Sequence, residues 1–156
     1  MKKFSVLLVA ILALMMLFVS CENEPKERAA TKEDVEIVMG LISSIGLADE
    51  KAVDDSKYNY KEGEGTITFK EAVCKEKEDN VVAVLNGTMT TKLDKESKTS
   101  TLSVDFGDGT KYKDKDHTLV ANIVMKMPEK GEETVDSCDI ILDGFILTDF
   151  DFDSLS

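Results

Sequence analysis

Apolar residues follow three patterns along this chain, and each predicts a different kind of segment. Residues 4–19 run for sixteen positions without a charge. Further on, Val35, Val38, Met39, Ile42 and Ile45 recur three and four residues apart, which is a helical period. Thr31 stands just before Lys32, Glu33 and Asp34, so this segment opens with an N-cap hydroxyl and acids in its first turn. Gly46 supplies a stop, and the spacing predicts an amphipathic helix over 32–45. Ile37 and Leu41 widen its apolar face beyond a coiled-coil seam, which predicts burial against a sheet.

From Tyr58 onward the period becomes two. Ile67, Phe69 and Val73 alternate with Thr66, Thr68 and Lys70, and Leu102, Val104 and Phe106 alternate with Thr101, Ser103 and Asp105. Leu119, Ala121, Ile123, Met125 and Met127 share one face of a long strand. Turn-forming clusters at 75–79, 94–98, 107–109 and 128–133 separate the runs, so successive strands should pair antiparallel as a meander. Asn86-Gly87 and Asp143-Gly144 are strong two-residue hairpin signatures. Both also sit inside longer apolar runs, where a bulge in one long strand is the alternative. A strand covering all of 81–93 would be unusually long, which favours hairpins. The predicted fold class is α+β: an N-terminal helix packed on an antiparallel β-meander of about six or seven strands, able to curl into a half-open barrel.

The first apolar run belongs to a separate element. Lys2 and Lys3 precede it, small Ser20 closes it, and Cys21 follows directly. Sixteen residues fall short of the roughly 20 needed to span hydrocarbon. The sequence Leu17-Phe18-Val19-Ser20-Cys21 resembles the signal peptide and lipobox of bacterial lipoproteins. Phe18 and Ser20 stand where that family prefers Leu and Ala or Gly, so the match is to the relaxed, spirochaete-like form. The resemblance implies cleavage after residue 20, a diacylglycerol thioether on Cys21 and often a further acyl chain such as palmitate on the new amino group. It places the protein in the bacterial cell envelope, lipid-anchored to a membrane on its periplasmic or outer side. Two or three acyl chains, at about 0.8 kcal/mol per buried methylene, hold such a protein permanently. Residues 21–30, polar and containing Pro25, read as a tether of at most about 30 Å, and 31–156 as a single domain.

Charge narrows the partners. Without residues 1–20 the chain has 17 basic and 31 acidic residues, a net charge of −14. Nucleic acid is therefore not an expected partner, because phosphate needs clustered Lys and Arg. Trp is absent, and few aromatics are left to serve as stacking platforms. Cys74 and Cys138 lie in a chain destined for an oxidising compartment. A bridge between them would close a loop of 65 residues and stabilise the fold by about 4 kcal/mol; two buried thiols are the equal alternative. Neither belongs to a metal-spaced pair, so no metal and no cofactor is expected.

Three places invite chemistry and each has a plainer explanation. His117 is the only histidine and, beside a turn, reads as a surface residue. The aspartates between Asp105 and Asp116 fail the calcium-loop template, since Gly107 and Gly109 occupy ligand positions; a two-strand tip with Asp108-Gly109 at its turn explains them. Asp149, Asp151 and Asp153 alternate with Phe150 and Phe152, as in an edge strand with its phenyl rings inward. No catalytic or phosphate-binding motif is present, so no enzyme is expected. The functional expectation is an extracytoplasmic lipoprotein that binds another protein. A carrier of an apolar ligand held between helix and sheet is the alternative, and a hydrolase a remote one.

Overall fold

The computed structural model describes residues 25–77, 80–127 and 134–151. In chain order these form β1 (Lys26–Ala29), α1 (Lys32–Ser44), β2 (Val53–Asn59), β3 (Glu64–Lys75), β4 (Val81–Asp94), β5 (Thr99–Phe106), β6 (Lys111–Tyr112), β7 (Lys115–Asp116), β8 (Leu119–Lys126), β9 (Thr134–Leu142) and β10 (Phe145–Thr148). Two 3-10 turns, Ile45–Leu47 and Glu50–Ala52, connect α1 to β2. The fold is mostly β, about 60 % strand with one short helix, and its sheet curls strongly into a half-barrel.

The predicted meander is present as seven consecutive antiparallel neighbours in the order β10-β9-β8-β5-β4-β3-β2. Three short strands depart from it. β6 and β7 form a small ribbon inserted between β5 and β8, with β6 pairing back onto β4. β1 pairs with β10 in parallel, so the stretch read as a tether has its residues 26–29 sewn into the sheet; residues 1–24, including Cys21, lie outside the described residues.

The helix starts as its sequence dictates. Thr31 Oγ1 accepts from the Asp34 N–H at 3.2 Å while the Asp34 carboxylate accepts from the Thr31 N–H at 2.8 Å, a reciprocal capping box. Asp34 is only 5 % exposed, and Arg28 of β1 grips its two carboxylate oxygens at 2.5 and 2.7 Å. The Arg28 guanidinium also sits 4.9 Å from the ring centroid of Phe145, so one side chain ties β1, α1 and β10 together. Gly46 lies within a 3-10 turn that continues past the helix, so the chain tightens there before turning away. Gly40 faces Tyr112 of β6, where an added Cβ would stand 2.3 Å from the ring. That contact sets how closely the helix approaches the ribbon.

Ile37, Val38 and Leu41 turn inward and join Phe69, Leu85, Phe106, Leu119 and Leu142 in the core, and Val35 is buried as well. Phe69 and Phe106 pack edge to face at 5.8 Å. Leu119, Ala121 and Ile123 alternate inward as predicted.

Four local expectations are corrected. Val73 is only half-buried, and Ala72 and Cys74 point inward instead. The cause is a bulge: Phe69 pairs with Gly87 and Ala72 with Leu85, so Lys70 and Glu71 oppose the single residue Asn86 and the alternation changes phase. Asn86-Gly87 is therefore no hairpin, because β4 runs unbroken from Val81 to Asp94. Gly87 has φ +146°, and a Cβ there would lie 2.0 Å from the Asp105 carbonyl oxygen. Asp143-Gly144, with the same signature, does turn the β9–β10 hairpin, both residues having positive φ. In the third case Asp108-Gly109 does turn the chain, the Thr110 N–H donating to the Gly107 carbonyl at 3.1 Å, but it leads from β5 into β6, and the two-strand ribbon has its own turn at Lys113-Asp114. Lastly, Asp149 adopts φ +55°, so the strand ends at Thr148; Phe150 packs on the core, while Phe152 and Asp153 lie outside the described residues, as does the 128–133 cluster.

Candidate functional site

A groove opens where the 3-10 turns meet β2 and β3. Phe69 and Ile67 form its floor, and Ile45, Ala48 and Val53 extend the apolar wall. Glu50, Asp55 and Tyr60 complete a space of about 520 Å³. The groove exists because the chain leaves α1 through two tight turns instead of a long loop. Ala48 bridges to Cys74 and the Asp49 N–H donates to the Val73 carbonyl at 3.0 Å, pinning the turns to the far end of β3. β2 then pairs with the other end of β3, so a gap stays open between turns and strand. On the rim, Tyr60 is 68 % exposed and donates its hydroxyl to Asp55 at 2.6 Å. Its ring also stands edge-on to Tyr58 at 4.9 Å. Glu50 and Asp55 are the charged residues lining the groove, so it presents negative charge over an apolar floor.

The centre of the space between helix and sheet is filled, while clefts of about 550 and 410 Å³ stay open at its margin, between α1 and the β6–β7 ribbon and between α1 and β4. Val38, Leu41, Leu85, Phe106 and Leu119 are all without exposed area, leaving the helix packed directly on side chains of the sheet. On the convex face a row of small polar residues crosses five strands in register: Thr66, Thr90, Ser103, Asn122 and Asp139. Thr66 and Thr90 hydroxyls pair at 2.9 Å, and Ser103 donates to Asn122 at 2.9 Å. That face is a solvated one, as antiparallel sheets allow. An adjoining row, Val120, Ile141 and Ile146, is apolar, with Val120 45 % exposed.

His117 is not the surface residue its sequence suggested. Its side chain is 8 % exposed, with Nδ1 2.8 Å from the Asp143 carboxylate. A carboxylate only accepts, so the Nδ1–H donates to it and Nε2 is left on the far side of the ring. Nε2 is buried without a hydrogen-bond partner among the described residues. Asp143 also accepts from the Thr118 N–H at 2.8 Å and returns its own N–H to the Thr118 carbonyl at 2.9 Å. A histidine oriented this way is half of an acid–base pair, but proton transfer needs a reacting group at Nε2. As it stands, the pair joins the start of β8 to the β9–β10 turn. Sequence reasoning missed it because its two members are 26 residues apart.

The two cysteines are free thiols, Cys74 in the buried core and Cys138 half-buried on β9. Burial pushes the Cys74 thiol up to about 11, and burial beside Asp139 raises Cys138. Their strands stand apart in the sheet with β4, β5 and β8 between them. The aspartates between Asp105 and Asp116 scatter over β5, the turn and the ribbon, where Asn86 Nδ2 donates to the Asp108 carbonyl at 2.7 Å. No group of three His, Cys, Asp or Glu among the described residues could hold a metal ion. No helix among them is long and apolar enough to cross a membrane. No family model matches the chain, and neither a curated protein nor a solved structure is significantly similar to it.

Proposed function

We propose that this protein is an extracytoplasmic lipoprotein, held to a membrane of the bacterial cell envelope through Cys21, whose domain binds another protein and catalyses no reaction. The single observation that supports this reading best is an open groove on the outside of the fold. The centre of the core, where an apolar-ligand carrier would hold its cargo, is filled by side chains, whereas the groove between the 3-10 turns and β2 is accessible from outside. Recognition of another chain is what such a surface offers: an apolar floor for burial and a charged rim for selectivity. The anchor rests on the lipobox-like sequence and the binding role on the groove, so they are tested apart.

For the anchor, cells expressing the full chain are fed labelled palmitate. Cys21→Ala should lose the label and leave the membrane fraction; retention of both would overturn lipidation. For the binding role, a photo-reactive residue is placed at Tyr60 on the groove or at Val120 on the convex face of the anchored protein. Discrete protein adducts in intact cells at either position support the reading. None at both, with normal protein levels, would sink it.

A further inference from the structure

β2 is an edge. Among the described residues it has a neighbour on one side only, β3, and it lies at the end of the strand order. Its outer side therefore presents main-chain donors and acceptors that another strand can take up. The same strand supplies Val53 and Asp55 to the groove. We propose that this edge and the groove beside it form one docking site for an extended, basic segment of a partner protein, which adds to the sheet as an extra strand along β2. This rests on the protein-binding reading above and names the partner's chemistry.

Charge selects the occupant. Glu50 and Asp55 line the groove, neither forms an ion pair among the described residues, and the groove lining contains no cation. A strand laid along β2 projects alternate side chains to the same face about 6.6–7 Å apart. An apolar side chain and a lysine two residues on would therefore point toward the groove together, one for the floor and one for the carboxylates. A segment with glutamate there would set like charges together in an apolar cleft, which is unfavourable.

Self-association at this edge is disfavoured by the charge of the whole domain. β2 carries Asp54 and Asp55 and is kinked by a bulge between Asp54 and Lys57, with the Ser56 N–H turned back to Asp54 at 3.1 Å. β2 also carries Lys57, so what opposes a second copy is the large negative net charge that each domain would bring to the contact. Repulsion between two acidic domains thus opposes a like strand and leaves a basic one acceptable.

The probe is a ten-residue synthetic peptide with valine and lysine at successive alternate positions and threonine between. Its control has glutamate for lysine. Both are titrated into the full-length protein in neutral detergent by fluorescence anisotropy, and hydrogen exchange of the complex is followed. The lysine peptide should bind, weaken as salt rises, and protect amides within Val53–Asn59. Glu50→Gln combined with Asp55→Asn, both on the surface and checked by circular dichroism, should raise Kd about tenfold. Binding of the glutamate peptide as tightly, protection elsewhere, insensitivity to the double substitution, or no binding at millimolar peptide would each overturn the proposal. Adducts at Val120 alongside any of these would leave the protein-binding reading standing with its surface moved to the convex face; absence of adducts at both positions removes the reading itself.

Discussion

Asp34 shows how much one side chain can be asked to hold. It is a nearly buried carboxylate that caps a helix, receives the Thr31 hydroxyl at 2.7 Å and closes a two-pronged pair with Arg28. The Arg28 hydrogen bonds, ahead of those from Thr31, lower its pKa to about 2 from 3.8. A depressed carboxylate stabilises the fold above its unfolded pKa, and that contribution is lost as pH falls from about 4 toward 2. Arg28 is partly solvated, so the contribution is discounted to roughly 1–2 kcal/mol. Asp34→Asn should lower stability by about that much at pH 7 and flatten the acid limb between pH 4 and 2, as read by urea unfolding at several pH values. The helix start was legible because Thr31 and Asp34 are three residues apart. The Arg28 clamp was not: it depends on β1 joining a strand more than a hundred positions downstream, and nothing in Lys26–Ala29 alternates visibly.

At the level of elements, two identical signatures reach opposite outcomes. Asp143-Gly144 has a strand immediately before it that pairs with the strand immediately after it, so the positive φ values make a turn. Asn86-Gly87 has β3 alongside on both sides of it, and the ladder carries the chain straight through. Gly87 is instead needed for close approach to the Asp105 carbonyl, opposite the bulge in β3. Gly87→Ala meets both a positive φ and a carbonyl oxygen, and should cost about 2–4 kcal/mol by chemical denaturation, whereas Gly46→Ala, with open space around it, should be close to neutral. Alternation identified the strands but not the phase of their far ends, because charged Lys70 and Glu71 look like ordinary solvent-facing residues until two of them face one. His117 was misplaced for a related reason: its neighbours in sequence are charged, but its partner in space is the turn residue Asp143.

For the molecule as a whole, the two thiols report on the integrity of the half-barrel. Cys74 is fully buried at the foot of β3 and Cys138 half-buried on β9. Thiolate is the reactive form, and burial raises both groups, so labelling of the native protein at pH 8 should be slow, with Cys138 ahead of Cys74. Cys74 should react at the rate of global unfolding, which mass spectrometry of time-quenched samples would show; rapid labelling of Cys74 in native buffer would contradict the packing. The sign for stability is opposite to that of Asp34: a raised pKa stabilises below the unfolded value of 9.0, and its contribution fades as pH climbs toward about 11.

Under the proposed anchoring at Cys21, the incorporation of Lys26–Ala29 into the sheet would also fix how far the domain can stray from the membrane. Counting from the sequence alone, the leash from Cys21 to the first paired residue is five peptide steps rather than nine, a contour of at most about 17 Å. With lipid on Cys21, the domain is confined to a shallow layer over the bilayer and diffuses with it in two dimensions. Encounters with partners in the same layer are then frequent, and those beyond it are out of reach. Inserting flexible residues between Cys21 and Lys26 would lengthen the leash without touching the fold, and so set the height of that layer independently of everything the domain does.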